Sequence, residues 1–383
     1  MIGVTKLLCG VDSSGDELRY RKSVHTRPVV VWNFTRQCNL HCVHCYAEAQ
    51  SGASPQELST QEGKALIDDL AQFGVPVLLF SGGEPLVRPD LLELAAYATG
   101  RGLRTVVSTN GTLITRDMAR GLKDAGIVYA GVSLDGLKDT NDRFRGKKGA
   151  FEGALEGIRH CREAGLKSGL RFTITKHNFR EVGSIFDLVE EEDIPRLCFY
   201  HLVYSGRGSA LVDADLAREE TREVMDLVFH RARDLHNRGI QKDILTVDNH
   251  ADGVYLYLQV AKEGPDRAQE VYKFLEWNGG ASSGVGIGDI DHLGEVHPDQ
   301  FWRHYSLGNV RDRSFSQIWQ DTSEPLLAGL RERKSRVKGR CAACRYLNLC
   351  GGNFRVRAEA VHGDIWAPDP ACYLTDDEIG LAS

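Results

Sequence analysis

Six short apolar runs punctuate the first half of the chain, at 29–32, 75–80, 105–108, 127–134, 170–175 and 197–203. Each is apolar on both faces, the pattern of strands buried within a parallel sheet. Helix signals lie between them. Ser59-Thr60-Gln61-Glu62 reads as a capping box, followed by Leu66, Ile67, Leu70 and Phe73 on one face. Pro89 opens a helix through Leu91, Leu92, Leu94 and Ala95. Gly74, Gly100, Gly126 and Gly165 stand where helices close ahead of the next strand. Six strand–helix repeats predict an α/β fold, a partial (β/α)6 barrel of the TIM type, short of the eight repeats that close such a barrel. Chemistry is then expected in the loops that follow the strands. The expected division is an N-terminal extension at 1–27, the barrel at 28–208, a charged helical connection at 209–290 and a C-terminal domain at 291–383.

Composition narrows the class. Hydrophobic residues make up 42% of the 383 and charged residues 26%, as in an ordinary globular protein. A net charge of -6 argues against general nucleic-acid binding. No apolar run approaches a membrane span, and the first ten residues are too weakly apolar for a secretory signal, so a cytoplasmic location is expected. There, the ten cysteines read as metal ligands or free thiols rather than disulfides. Seven fall in two clusters; Cys9, Cys161 and Cys198 stand alone as ordinary thiols. Asp248-Asn249-His250-Ala251-Asp252-Gly253 resembles the start of a calcium loop, but Gln259 stands where the bidentate Glu belongs, which excludes it. The glycine-rich run 278–288 reads as a flexible turn before a hairpin.

The first cysteine cluster follows the first apolar run. Cys38, Cys42 and Cys45 share one eight-residue loop. Three thiolates can hold three irons of a four-iron cluster and leave the fourth open to a small molecule. The alternative is zinc, with His41 or His44 completing a tetrahedron. Ser81-Gly82-Gly83-Glu84-Pro85 follows the second run, where glycines let backbone approach a ligand and Glu84 could pair with an ammonium group. Thr109-Asn110-Gly111-Thr112 and Ser133-Leu134-Asp135-Gly136 place small polar side chains after the third and fourth runs. The second cluster is Cys341, Cys344 and Cys350, with Cys372 further on. Four thiolates suit either a fully ligated four-iron cluster or a structural zinc.

The three-cysteine loop and the Gly-Gly-Glu-Pro motif together resemble the radical S-adenosylmethionine (SAM) enzymes. The resemblance implies that Cys38, Cys42 and Cys45 hold a 4Fe–4S cluster whose open iron chelates the methionyl amine and carboxylate of SAM. It assigns the amine to Gly82, Gly83 and Glu84, a place near the adenine to His44, and ribose or carboxylate contacts to Asn110, Ser133 and Asp135. The implied chemistry is one-electron cleavage of SAM to a 5′-deoxyadenosyl radical that takes a hydrogen atom from substrate. The C-terminal spacing resembles the auxiliary-cluster SPASM and Twitch domains, which makes Cys341, Cys344, Cys350 and Cys372 ligands of a second 4Fe–4S cluster. Two departures from the full SPASM pattern imply one auxiliary cluster rather than two. Phe354 stands where a further cysteine is expected, and His297-Pro298-Asp299 replaces another.

Segments 28–33, 277–280, 297–309 and 350–357 are similar to the tetrapyrrole-modifying members of this family. That similarity implies removal of two acetate side chains from 12,18-didecarboxysirohaem to give iron-coproporphyrin III. Replacement of propionates on the same precursor, on the route to haem d1, is the alternative; a radical SAM peptide maturase is a further one. The implied partners are a sirohaem-derived tetrapyrrole and a small-protein or flavodoxin-type electron donor, with neither nucleic acid nor membrane. A polycarboxylate macrocycle needs cations, for which Arg207, Arg303, Arg355 and Arg357 are available, and His297 and His304 could ligate or flank its iron.

Overall fold

All six apolar runs form strands. In the computed structural model, which describes residues 1–381 apart from 14, 21–26 and 53, the strands are β1 (Ile2–Gly3), β2 (Val29–Thr35), β3 (Leu78–Gly82), β4 (Thr105–Thr109), β5 (Ile127–Ser133), β6 (Ser168–Ile174), β7 (Arg196–His201), β8 (Asp243–Val247), β9 (Ile287–Ile290), β10 (Glu295–His297) and β11 (Gly308–Asn309). They share one sheet in the order β1-β8-β7-β6-β5-β4-β3-β2-β9-β10-β11. β2 to β7 run parallel, each beside its successor, with a helix after each of the first five.

The row extends further than the six repeats. β8 adds to β7 in parallel, and β9 adds to β2 in parallel. The segment 209–290 therefore contributes two strands as well as the helices Arg218–Asn237, Ala251–Ala261 and Pro265–Asn278. Neither strand carries a clean apolar pattern, because Asp243 opens one and a Gly-Asp pair interrupts the other. The first residues also join the sheet: β1 pairs antiparallel with β8, and Ile2, Val4 and Leu7 are buried in the core.

Local signals hold up where they are specific. Ser59 and Glu62 exchange both capping-box bonds at the start of helix Thr60–Phe73, which Gly74 closes at φ +79°. Gly100 is instead the last helical residue of Leu91–Gly100, and the left-handed turn falls on Gly102 at φ +84°. Beneath the first helix, Trp32, Phe34 and Phe80 pack with ring centroids 5.2 to 5.7 Å apart. A Cβ at Gly63 would come within 2.8 Å of the Trp32 ring, so the glycine lets helix and strand approach.

The C-terminal domain packs on this barrel through named contacts. Ser316 binds Asp69 of the first helix through both its N–H and its hydroxyl. β9, β10 and β11 pair antiparallel, the expected hairpin. The glycine-rich run before it closes on the second cysteine cluster. Gly280 sits at φ +76°, and a Cβ there would lie 2.1 Å from the Cys350 carbonyl. Asp252, in the segment resembling a calcium loop, is bonded to His201 and Tyr373.

Candidate active site

The cysteine loop leaves β2 and is held by backbone. Cys38 N–H donates to Gln50 O (2.7 Å), His41 N–H to Arg145 O (3.2 Å) and Val43 N–H to Phe144 O (3.0 Å). Arg207 staples it from the other side, donating from Nε to Cys42 O (2.8 Å) and from Nη1 to Ala49 O (3.0 Å). Inward and outward positions alternate: Cys38, Leu40 and Cys42 are buried, while His41 and Val43 are exposed. All three thiols line a cavity at the C-terminal ends of the strands. Burial pushes the Cys38 thiol up to about 12 and raises that of Cys42. Metal binding there must therefore displace protons that the bare site retains.

The loop after β3 continues strand pairing against the exit of β2. Gly83 N–H donates to Thr35 O (2.7 Å) and Glu84 N–H to Gln37 O (2.8 Å). A Cβ at Gly82, at φ +122°, would lie 2.4 Å from Thr35 O, and one at Gly83 would lie 2.2 Å from Gln37 O. Both positions admit only glycine, and both line the cavity. Glu84 is placed differently from expectation. Its carboxylate is fully buried behind the loop and accepts from Thr109 Oγ1 (2.7 Å), Asn110 N–H (2.7 Å) and Leu86 N–H (3.1 Å). It joins the β3 and β4 loops and does not line the cavity.

Asn110 and Ser133 do line it. Asn110 Nδ2 donates to Asn39 Oδ1 (2.8 Å) and lies 3.9 Å from Cys38 Sγ. Asp135 is buried below the surface, accepting from Thr173 N–H (2.7 Å) and paired with Arg145. The His44 ring lies on Phe144 with centroids 4.6 Å apart, and its Nε2 is 3.5 Å from Asp135. Burial lowers His44 to about 4, against the opposing pull of Asp135, so the ring is neutral at physiological pH.

Residues that sequence reasoning missed complete the wall: Tyr46, Arg145, Arg171, Thr173, Tyr200 and Gln300. Arg145 donates to Cys42 Sγ (3.6 Å) while paired with Asp135. Four polar atoms on cavity-lining residues are buried without a partner: His44 Nδ1, Arg145 Nε, Arg207 Nη2 and Gln300 Oε1. Buried polar groups are normally satisfied, so such a concentration marks a place prepared for a polar ligand. Three inward thiols, a glycine cradle and unsatisfied donors together fit a site-open cluster with a polar, zwitterionic molecule beside it.

The second cluster lies elsewhere. Cys341, Cys344 and Cys372 are near enough to Cys350 to raise its thiol electrostatically, although burial is the larger cause. None of them lines the main cavity. Arg340 donates to Cys372 Sγ (3.2 Å) and Tyr346 N–H to Cys344 Sγ (3.4 Å).

Of the cations and histidines expected to hold substrate, only Arg207 borders the cavity. Arg355 and Arg357 correct the expectation. Arg355 donates to the carbonyls of Gly352, Ile365 and Ala367. Arg357 pairs with Asp369 (3.0 Å) and donates to Leu202 O and Asp248 O. Both are fully buried, where a guanidinium draws on internal acceptors; Arg355 braces the C-terminal segment on itself, and Arg357 fastens it to the barrel. His304 is exposed and bonded to Glu359 (2.9 Å). His297 is buried, its Nδ1 bonded to Tyr305 O and its Nε2 3.9 Å from Asp291. Arg303 is half-buried and acts electrostatically on Asp289 and His292.

The profile of the Radical SAM superfamily matches residues 32–189, and that of SPASM, an iron-sulfur cluster-binding domain, matches 288–345. The Fe-coproporphyrin III synthase of Methanosarcina barkeri is 59% identical over 99% of both chains. The chain is a radical SAM enzyme. The family implies a 4Fe–4S cluster and SAM as its cofactors, and its SPASM domain supports an additional cluster. A second relative, the pre-heme d1 synthase of Dinoroseobacter shibae, is 44% identical over 93% of this radical SAM chain and 89% of its own. Among solved structures, SuiB of Streptococcus suis bound to S-adenosylmethionine superposes with a TM-score of 0.71 at 19% identity, covering 91% of this chain and 78% of that one, which shows the shared fold.

Proposed function

We propose that this enzyme removes two acetate side chains from 12,18-didecarboxysirohaem to give iron-coproporphyrin III. The observation that carries this reading is the 59% identity to a Fe-coproporphyrin III synthase across essentially both whole chains, against 44% to the pre-heme d1 synthase.

Cys38, Cys42 and Cys45 hold the cluster that binds SAM. When bound and reduced by one electron, SAM supplies a 5′-deoxyadenosyl radical able to take hydrogen from an unactivated carbon. The chain's own residues supply position. Gly82 and Gly83 bring backbone to the amine, with Glu84 fixing their loop from behind. His44, neutral and stacked on Phe144, offers an unpartnered Nδ1 to the nucleoside. Asn110, Ser133 and Arg145 offer polar groups to the ribose and carboxylate. Arg207, whose Nη2 is free of partners, is the substrate-side cation. Cys341, Cys344, Cys350 and Cys372 saturate the auxiliary cluster, which serves electron transfer or the substrate-side wall. A small flavodoxin-type carrier supplies the electron, and the cytoplasm is the compartment that keeps so many thiols reduced. No helix of the described residues is long and apolar enough to cross a membrane.

The test is anaerobic incubation of reconstituted protein with SAM, dithionite and didecarboxysirohaem, followed by mass analysis of the product. Loss of two acetates supports the proposal. Modification of propionates instead transfers the assignment to the haem d1 route, and an unchanged macrocycle with abundant deoxyadenosine rejects tetrapyrrole chemistry.

A further inference from the structure

Arg171 has hydroxyl and aromatic neighbours but no carboxylate partner. It projects from β6 into the main cavity, one inward position below Thr173 and in register with Ser133 of β5. Its Nη1 donates to Ser108 Oγ, and its guanidinium lies 4.6 Å from the centroid of the Tyr200 ring. Among the described residues it makes no ion pair. Of the other cations of this wall, Arg145 pairs with Asp135, while Arg207, also without an ion pair, is tied to the cysteine loop through two carbonyls. Asp248, which also lines the cavity, acts on Arg171 only from beyond ion-pair distance.

The neighbouring strand makes room for this side chain. Gly131, two residues before Ser133 on β5, lies diagonally beside it, and a Cβ there would lie 2.9 Å from Arg171 Cδ. Glycine inside a strand weakens it, and its presence commonly marks close approach of another group. A half-buried cation without a counter-charge is also costly. The fold thus clears space for a guanidinium, carries it into the lumen and leaves its charge unneutralised there.

We propose that Arg171 is a carboxylate-binding site within the barrel lumen. Its planar fork takes a carboxylate through two parallel hydrogen bonds, a geometry that the hydroxyls around it cannot replace. Two molecules of the reaction carry that chemistry. One is the macrocycle, on the functional reading given above: a planar ring enters the lumen by its edge, and its edge bears the acetate and propionate groups. The other is the methionyl end of SAM.

Arg171→Met and Arg171→Lys separate the sources. Dissociation constants are measured on the reconstituted proteins for SAM, by equilibrium dialysis, and for didecarboxysirohaem, by absorption titration. A substrate acid at Arg171 makes tetrapyrrole binding about 10- to 100-fold weaker in Arg171→Met, with partial recovery in Arg171→Lys. The same loss in the SAM titration assigns the site to the methionyl carboxylate. Unaltered affinity for both ligands overturns the proposal. Thermal unfolding of the apo-protein checks for a purely structural role. Removing an unpaired charge from the lumen leaves the midpoint unchanged or raised, whereas a marked fall would make Arg171 a packing residue and also overturn the proposal. Wild type is titrated first. If it takes up no tetrapyrrole, the functional reading fails, and the SAM titration still tests Arg171.

Discussion

The two cysteine clusters of this chain differ in number, setting and surroundings. The barrel loop offers three thiols at the wall of a cavity ringed by unsatisfied polar atoms. The C-terminal cluster offers four thiols on short turns, away from that cavity, gripped by Arg340 and backed by Gly280. The same ligand chemistry is thus put to two uses. Three thiols leave an iron for a ligand to occupy, and the fold supplies space and donors for it. Four thiols would leave none, and here they are half-buried, apart from the cavity.

The sharpest way to break this contrast is Cys42→Ala. Two thiols cannot retain the site-open cluster, so SAM cleavage and product formation are both expected to fall to background. Normal release of deoxyadenosine by this variant would mean that the barrel loop is not the site of SAM cleavage. Cys372→Ala is expected to behave differently. SAM cleavage should remain measurable while product falls sharply, and iron should drop from about eight per chain toward about four. Circular dichroism distinguishes this from unfolding of the C-terminal segment. Full turnover by a folded variant lacking the auxiliary cluster would remove the redox role. Wild-type content near four irons plus one zinc would turn the second site into a zinc site.

Arg145→Met probes the polar half of the contrast. Arg145 touches the thiol of Cys42, pairs with Asp135 and keeps one unpartnered nitrogen at the cavity. Its loss is expected to weaken SAM binding by about tenfold, with iron content preserved. Equal SAM affinity in variant and wild type would limit Arg145 to supporting the loop.

Legibility in the sequence follows the range of the interactions. β2 to β7 are readable because a short run apolar on both faces, bounded by helix signals, suits little besides a buried strand, and the capping box at Ser59 is a local exchange of bonds. β8 and β9 are not, because Asp243 and the Gly288-Asp289 pair break the apolar pattern and only pairing with β7 and β2 makes strands of them. The site divides in the same way. Spacing announces the cysteines and glycines, since backbone geometry confines them. Arg145 and Arg171 become visible only when Cys42 and Gly131 are brought beside them. Arg355 and Arg357 show the converse, since sequence alone does not distinguish a cation that anchors a ligand from one that bonds buried carbonyls.

Glu84 yields the smallest and most specific effect. Burial raises its carboxyl to about 7 from an ordinary 4.5, against the opposing bonds from Asn110 N–H, Thr109 and Leu86 N–H. A carboxyl raised on folding binds more protons in the folded chain than in the unfolded one across that interval. Stability therefore falls as pH rises from about 4.5 to about 7 and levels off above it. The full change is on the order of 3 kcal/mol for this group. Glu84→Gln removes the titration. Its oxygen can still accept from Asn110 N–H and its amide can donate to Thr109 Oγ1, which leaves Leu86 N–H without an acceptor at a cost of about 1 kcal/mol. The variant is thus expected to unfold at a slightly lower temperature than wild type at the acid end of this range and at a higher temperature by pH 8. Thermal unfolding of the two apo-proteins across that range reads the difference directly. Parallel pH profiles would show that Glu84 is ionised throughout, held so by its three donors, and that burial does not dominate this carboxyl.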